Sequence, residues 1–135
     1  MKTRITELFG TKHPIVLAAM AFVSSPKMVA AICNAGGLAL FPTGVLTPEE
    51  ARKAIREIKS LTDKPFGVNQ VLASPSAKDN IDVILDEKVP VIEYVLGRPW
   101  FIQQAHAYGG KVIAKLSLMK HAARAEQLGV DVINI

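Results

Sequence analysis

Residues 47–72 read TPEEARKAIREIKSLTDKPFGVNQVL, and this stretch holds the unit from which the rest of the chain is built. Thr47 offers an N-cap hydroxyl, Pro48 suits the first helical position, and a following glutamate is placed to bond back, so the four residues 47–50 form a capping box and start a helix. Ala51, Ala54, Ile55, Ile58 and Leu61 follow at helical spacing and leave Arg52, Lys53, Arg56 and Lys59 to water. Beyond Pro65 the pattern changes. Phe66 to Leu72 is close to continuously apolar, as a strand covered on both faces should be.

The same alternation extends in both directions. Candidate strands are Ile15 to Met20, Leu38 to Phe41, Phe66 to Leu72, Val91 to Leu96, Lys111 to Leu118 and Asp131 to Ile135, with starts about 20 to 28 residues apart. Ser25-Pro26 opens a helix whose apolar members are Val29, Ile32 and Cys33, and Gly36 ends it in the left-handed conformation that glycine tolerates. A further helix runs near Asp79 to Lys88, Pro99 opens another that Gly109 closes, and His121 begins one that Gly129 closes. Strand and helix in turn predict right-handed βαβ units and a parallel sheet, hence an α/β fold.

Two architectures satisfy that pattern: an open doubly wound sheet and a closed eight-stranded barrel. Asp131-Val132-Ile133-Asn134-Ile135 stops in mid-pattern with no following helix to cover it. The expectation is therefore a (β/α) TIM-barrel type of about five and a half βα units, apparently truncated, forming one domain over residues 1–135. A complete flavodoxin-like domain ending on a strand is the alternative.

Composition narrows the class. The chain has 135 residues, 50% of them hydrophobic and 21% charged, enough for a real core and unlike a disordered tail, a fibre or a disulfide scaffold. Its one cysteine, Cys33, cannot form an internal bridge and has no second Cys or His at ligand spacing, which fits a reducing cytoplasm and no metal. The longest apolar run, Pro14 to Val23, is about half of what a membrane-spanning helix needs. A soluble, unexported protein is expected. The net charge of +4 comes from cations scattered among acids, with no aromatic platform, which argues against a nucleic-acid partner.

In either architecture ligands bind at the carboxyl ends of the strands. Asn69 and Gln70 interrupt the apolar run as their strand ends, while Glu93 and Lys115 sit inside other strand segments. A buried charge needs a partner, so the two either form a salt bridge or Lys115 meets a phosphate or an anionic cofactor ring. Asn69 can hydrogen-bond a heterocycle with both edges of its amide, or cap a turn. The histidines, His13, His106 and His121, share no ligand spacing and read as surface residues. Gly36-Gly37 follows a helix and precedes a strand, the wrong end for a phosphate loop. No G-x-G-x-x-G fingerprint and no Walker lysine motif is present.

Several segments taken in order carry a family resemblance: Arg4-Ile5-Thr6-Glu7-Leu8-Phe9-Gly10, His13-Pro14-Ile15-Val16, Asn34-Ala35-Gly36-Gly37-Leu38, Leu46-Thr47-Pro48-Glu49-Glu50, Thr62-Asp63-Lys64-Pro65-Phe66-Gly67-Val68-Asn69, Gly110-Lys111-Val112-Ile113 and Ala125-Glu126-Gln127-Leu128-Gly129-Val130-Asp131. Together they resemble the nitronate monooxygenases, formerly called 2-nitropropane dioxygenases, and are similar to the FMN-dependent enoyl-acyl-carrier-protein reductases. The likeness is to the amino-terminal portion of such proteins. It implies an FMN-binding TIM barrel with the flavin across its carboxyl end, touched by Ala19, Met20 and Ala21 largely through backbone, by Asn69, and by Lys115 as in some members.

The implied activity is oxidation of a small-molecule substrate, an alkyl nitronate, with dioxygen. The segments that would supply the catalytic histidine and hold the FMN phosphate are expected beyond Ile135, so the catalytic residue is unknown and the 135-residue chain by itself is expected to be impaired. Ala18-Ala19-Met20 also departs from the family's usual Gly-Gly-Met or Gly-Pro-Met. Other readings are an FMN-dependent enoyl thioester reductase, a cofactor-free α/β module acting as a binding or structural dimer, and a phosphosugar isomerase or lyase with Lys115 as a Schiff base. Open barrel edges would invite pairing into a homo-oligomer.

Overall fold

Six strands, β1 (Val16–Leu17), β2 (Leu38–Pro42), β3 (Gly67–Val71), β4 (Val91–Val95), β5 (Lys111–Lys115) and β6 (Val132–Asn134), pair in parallel, each with its neighbour in sequence. The computed structural model describes residues 2–135. The strand order decides between the two architectures. A doubly wound sheet reverses its direction of travel at a switch point and so covers both faces with helices. Here every right-handed crossover steps the same way, so the crossover helices share one face and the other becomes the inside of a curled half-barrel.

The helices are α1 (Arg4–Phe9), α2 (Pro26–Asn34), α3 (Pro48–Leu61), α4 (Ala77–Asp86), α5 (Ile102–Ala107) and α6 (Ala122–Gln127), with one 3₁₀ turn at Met119–His121. None of them is long and apolar enough to cross a membrane. The capping box expected at α3 is formed: Glu50 N–H donates to Thr47 Oγ1 at 3.3 Å and Thr47 N–H to Glu50 Oε2 at 2.9 Å.

Side-chain alternation builds two cores from one sheet. Phe41, Val68, Ile92 and Val112 face the helices and are buried with Val29, Ile55, Ile58, Ile81, Ile84 and Phe101. Leu38, Leu40, Val91 and Ile113 face the other way, and α1 covers them with Phe9, Ile5 and Leu8. α1 therefore closes the amino end of the half-barrel and leaves the carboxyl end open for ligand. Sequence reading missed this helix, although Thr3 caps it and Gly10 ends it at φ 67.

Three cations expected to face water are in fact paired. Glu87, buried at the end of α4, takes Arg52 at 2.9 Å, Arg56 at 2.8 Å and Lys59 at 3.1 Å, and Asp86 takes Arg52 at 3.1 Å. The helical spacing of these cations on α3 aims them at one carboxylate across the α3–α4 seam. Burial alone would push the Glu87 carboxyl up, but the hydrogen bonds from Lys59, Arg56 and Arg52 outweigh it and hold the group below the ordinary glutamate value. A carboxyl lowered on folding stabilises fully above its unfolded pKa, and that contribution is lost as pH falls through the folded value. Glu87→Gln is accordingly expected to cost about 1–3 kcal/mol at neutral pH and little in acid. Urea unfolding of both forms at pH 7 and near pH 3 checks this, and an equal cost at the two pH values would refute it.

Candidate functional site

At the open end, alternate residues of β3 to β6 turn polar and face the inside: Asn69 on β3, Glu93 on β4, Lys115 on β5 and Asn134 on β6. The register sets Asn69 beside Glu93 and Lys115 beside Asn134. Asn69 Nδ2 donates to Glu93 Oε2 at 2.6 Å, and Asn134 Nδ2 donates to Glu93 Oε1 at 3.3 Å. Glu93, only 2% exposed, is thus satisfied by two carboxamides. The Glu93–Lys115 salt bridge considered from sequence does not form, because Lys115 lies level with Val95, two residues further along β4.

The bond to Glu93 also fixes the Asn69 amide. One N–H of its nitrogen is given to Glu93, which turns Oδ1 away from that carboxylate, and among the described residues no hydrogen bond goes to Oδ1. The backbone beneath is held as well. Thr43 N–H donates to the Asn69 carbonyl at 2.9 Å, and Thr43 Oγ1 lies 2.8 Å from Gln70 Oε1. Gln70 was expected to interrupt the mouth, but the two-residue period turns it to the helix side, where it is fully buried near Asn80 and donates to Ser74 Oγ at 3.1 Å. Thr43 and Asn80 are the positioning residues that sequence reading did not single out. Thr43, a polar residue directly after β2, was the available signal, whereas Asn80 lies within α4 and had none.

Ala19, Met20 and Ala21 lie in the turn after β1 rather than in the strand, with Ala19 half-buried and the other two exposed. The turn closes on itself: Met20 N–H donates to Ser24 Oγ at 3.1 Å and Ser24 N–H to the Met20 carbonyl at 2.9 Å. Its tip is Phe22, at φ 63 and 95% exposed, a left-handed conformation that a bulky residue seldom adopts. The expected cofactor residues therefore follow β1 or lie on β3 and β5, towards the carboxyl ends of those strands, although among the described residues only Asn69 joins the hydrogen-bonded cluster around Glu93. Among the described residues Lys115 forms no ion pair, and it borders a cavity of about 690 Å³ between the segments that follow β4 and β5.

On the outer layer His106, expected as a plain surface residue, lies 2.9 Å from Asp131. Burial would raise the Asp131 carboxyl, but the Val112 N–H at 2.8 Å and His106 hold it below the usual aspartate range. That clamp sets β6, and with it Asn134, against β5. Among the described residues no group of three or more His, Cys, Asp or Glu side chains could hold a metal ion.

The family model for nitronate monooxygenase matches residues 2–82. The chain belongs to the nitronate monooxygenase family. It is 37% identical over 134 residues to (3aS,4S,5R,7aS)-5-hydroxy-7a-methyl-1-oxo-octahydro-1H-indene-4-carboxyl-CoA dehydrogenase of Rhodococcus jostii, covering 98% of this chain and 38% of that protein. It is 45% identical over 78 residues to nitronate monooxygenase of Paraburkholderia phytofirmans, covering 58% of this chain and 21% of that protein. The structure of FabK from Thermotoga maritima superposes with a TM-score of 0.93 at 40% identity, covering 98% of this chain and 43% of that one. The chain thus spans less than half the length of each of these relatives, and its half-barrel superposes on part of the FabK structure.

Proposed function

We propose that the carboxyl end of the half-barrel holds the ring of FMN, and that the protein oxidises a small organic substrate at that ring. Residues 1–135 are read as the amino-terminal part of one barrel domain in a cytoplasmic enzyme. The observation that carries the proposal is the Asn69–Glu93 bond, which leaves an almost buried carbonyl edge, Asn69 Oδ1, to accept a ring N–H. The residues present suit the group. Ala19, Met20 and Ala21 follow β1 at its carboxyl end, and Lys115 brings a cation that has no carboxylate partner among the described residues and can balance negative charge. FMN, when bound, supplies the electron acceptor. The chain's own residues orient the ring, fix its hydrogen-bonding edge and place positive charge beside it.

For the substrate, the family supports an alkyl nitronate with dioxygen. A second reading, a coenzyme A thioester as substrate, is favoured by one observation: the relative named as a CoA dehydrogenase aligns over 98% of this chain, against 58% for the nitronate monooxygenase. β1 and β6 each pair on one side only among the described residues, and we propose that these edges are completed by further strands or by a second copy.

Titration of the purified chain with FMN is the test. Saturable quenching of flavin fluorescence and a band near about 450 nm retained through desalting are expected. Without oxygen, bleaching of that band by propane-2-nitronate would choose the nitronate, and bleaching by an acyl-CoA the thioester. Absence of saturable FMN binding would overturn the proposal.

A further inference from the structure

The cavity beside Lys115 gathers four basic side chains. Arg98 follows β4, Lys115 ends β5, His121 closes the 3₁₀ turn and Arg124 lies on α6, and the fold brings these four to one lining that holds no acid. Among the described residues none of the four forms an ion pair, and Arg124 reaches only Gln127, at 3.3 Å. The chain does neutralise such a group elsewhere: Arg52, Arg56 and Lys59 are matched by Glu87 and Asp86. Three permanent cations and a histidine around one hollow repel one another, and a bound anion relieves that repulsion.

The rest of the lining is apolar, with Leu116, Ala125 and Leu128 among it, and about 690 Å³ is an ordinary size for a small-molecule site. One carboxylate would balance one of the three fixed charges. A phosphate ester or diphosphate balances two or more, and its oxygens match the donor fork of Arg98 and Arg124. We infer that this cavity binds the phosphate oxygens of a ligand whose body is apolar. Two sources share that chemistry: the phosphate of the flavin proposed above, and a phosphate-bearing handle on the substrate. The inference does not depend on the flavin reading, because its probe is inorganic pyrophosphate.

Trp100, the only tryptophan, stands in the segment after β4, next to Pro99 of the lining, and reports binding directly. Pyrophosphate titrated into the whole 135-residue chain at constant ionic strength should give a saturable change in tryptophan fluorescence that chloride does not reproduce. Arg98→Ser and Arg124→Gln, both at exposed positions, should each weaken binding about fivefold, and together about twentyfold or more, while Lys27→Gln on α2 leaves it unchanged. Displacement of pyrophosphate by FMN but not by riboflavin assigns the site to the flavin's phosphate. Displacement by a nucleoside bisphosphate in the presence of saturating FMN assigns it to the substrate's. No saturable response, or equal affinity in the double variant, overturns the inference even where the FMN titration succeeds.

Discussion

Phe101→Ala is expected to remove about 3–5 kcal/mol of folding stability, a large share of the roughly 5–15 kcal/mol that a domain has in total. Phe101 is wholly buried and is the largest of the fully buried side chains. Its ring stands nearly perpendicular to Tyr94 at 6.3 Å and to Trp100 at 5.9 Å, so truncation loses edge-to-face contacts as well as buried area. Its carbonyl also accepts from Ala105 N–H at 2.9 Å and starts α5. The cavity left behind would lie between sheet and helix, where packed neighbours relax little. Urea unfolding followed by circular dichroism measures the loss. Trp100→Phe serves as comparison, since Trp100 is 46% exposed and should cost under about 1 kcal/mol. A similar small cost for Phe101→Ala would show that the α5 seam is not part of the main core.

All six strands were legible in the sequence as apolar runs: β2 to β5 are buried on both faces and keep that character whatever their partners, and the half-exposed edge strands β1 and β6 are apolar too. Their lengths were less so. The run Ile15 to Met20 pairs only at Val16–Leu17, since the chain leaves the sheet to make the Met20–Ser24 turn, and apolar residues do not announce that departure. The barrel reading held for a topological reason that periodicity lacks, namely the unreversed order of strands. α1 escaped notice as a six-residue helix with little room for a periodic pattern.

The site residues were visible as polar interruptions of strands, but their pairing was not. Pairing depends on stagger between neighbouring strands, and a shift of two residues separates Glu93 beside Asn69 from Glu93 beside Lys115. Direction has the same origin: Asn69 and Gln70 are adjacent in sequence and face opposite sides of the sheet. The basic cavity was beyond reach for a further reason. Arg98, Lys115, His121 and Arg124 come from separate segments, and only the crossover geometry collects them.

That separation between a ring-reading amide and a phosphate-reading cavity gives the sharpest test of the mouth. Asn69→Leu keeps nearly the same volume but removes Oδ1, and it strips Glu93 Oε2 of its 2.6 Å partner. Losing one buried hydrogen bond costs about 1–3 kcal/mol, so FMN affinity should fall about 5- to 150-fold. Because Asn69 is read as touching the ring, riboflavin should weaken by the same factor, whereas the Arg98 and Arg124 substitutions should spare riboflavin. Glu93→Gln is expected to act in the same direction and less strongly. Its amide can still pair with Asn69, but it no longer obliges Asn69 to present oxygen to the opening, so part of the binding energy goes to fixing the amide. Flavin fluorescence titrations of the two variants against both flavins, with circular dichroism to confirm folding, read these effects. Asn69→Leu binding FMN as tightly as the unchanged chain would place the ring away from β3 and leave Lys115 and the β1 turn as its only remaining contacts among the residues proposed.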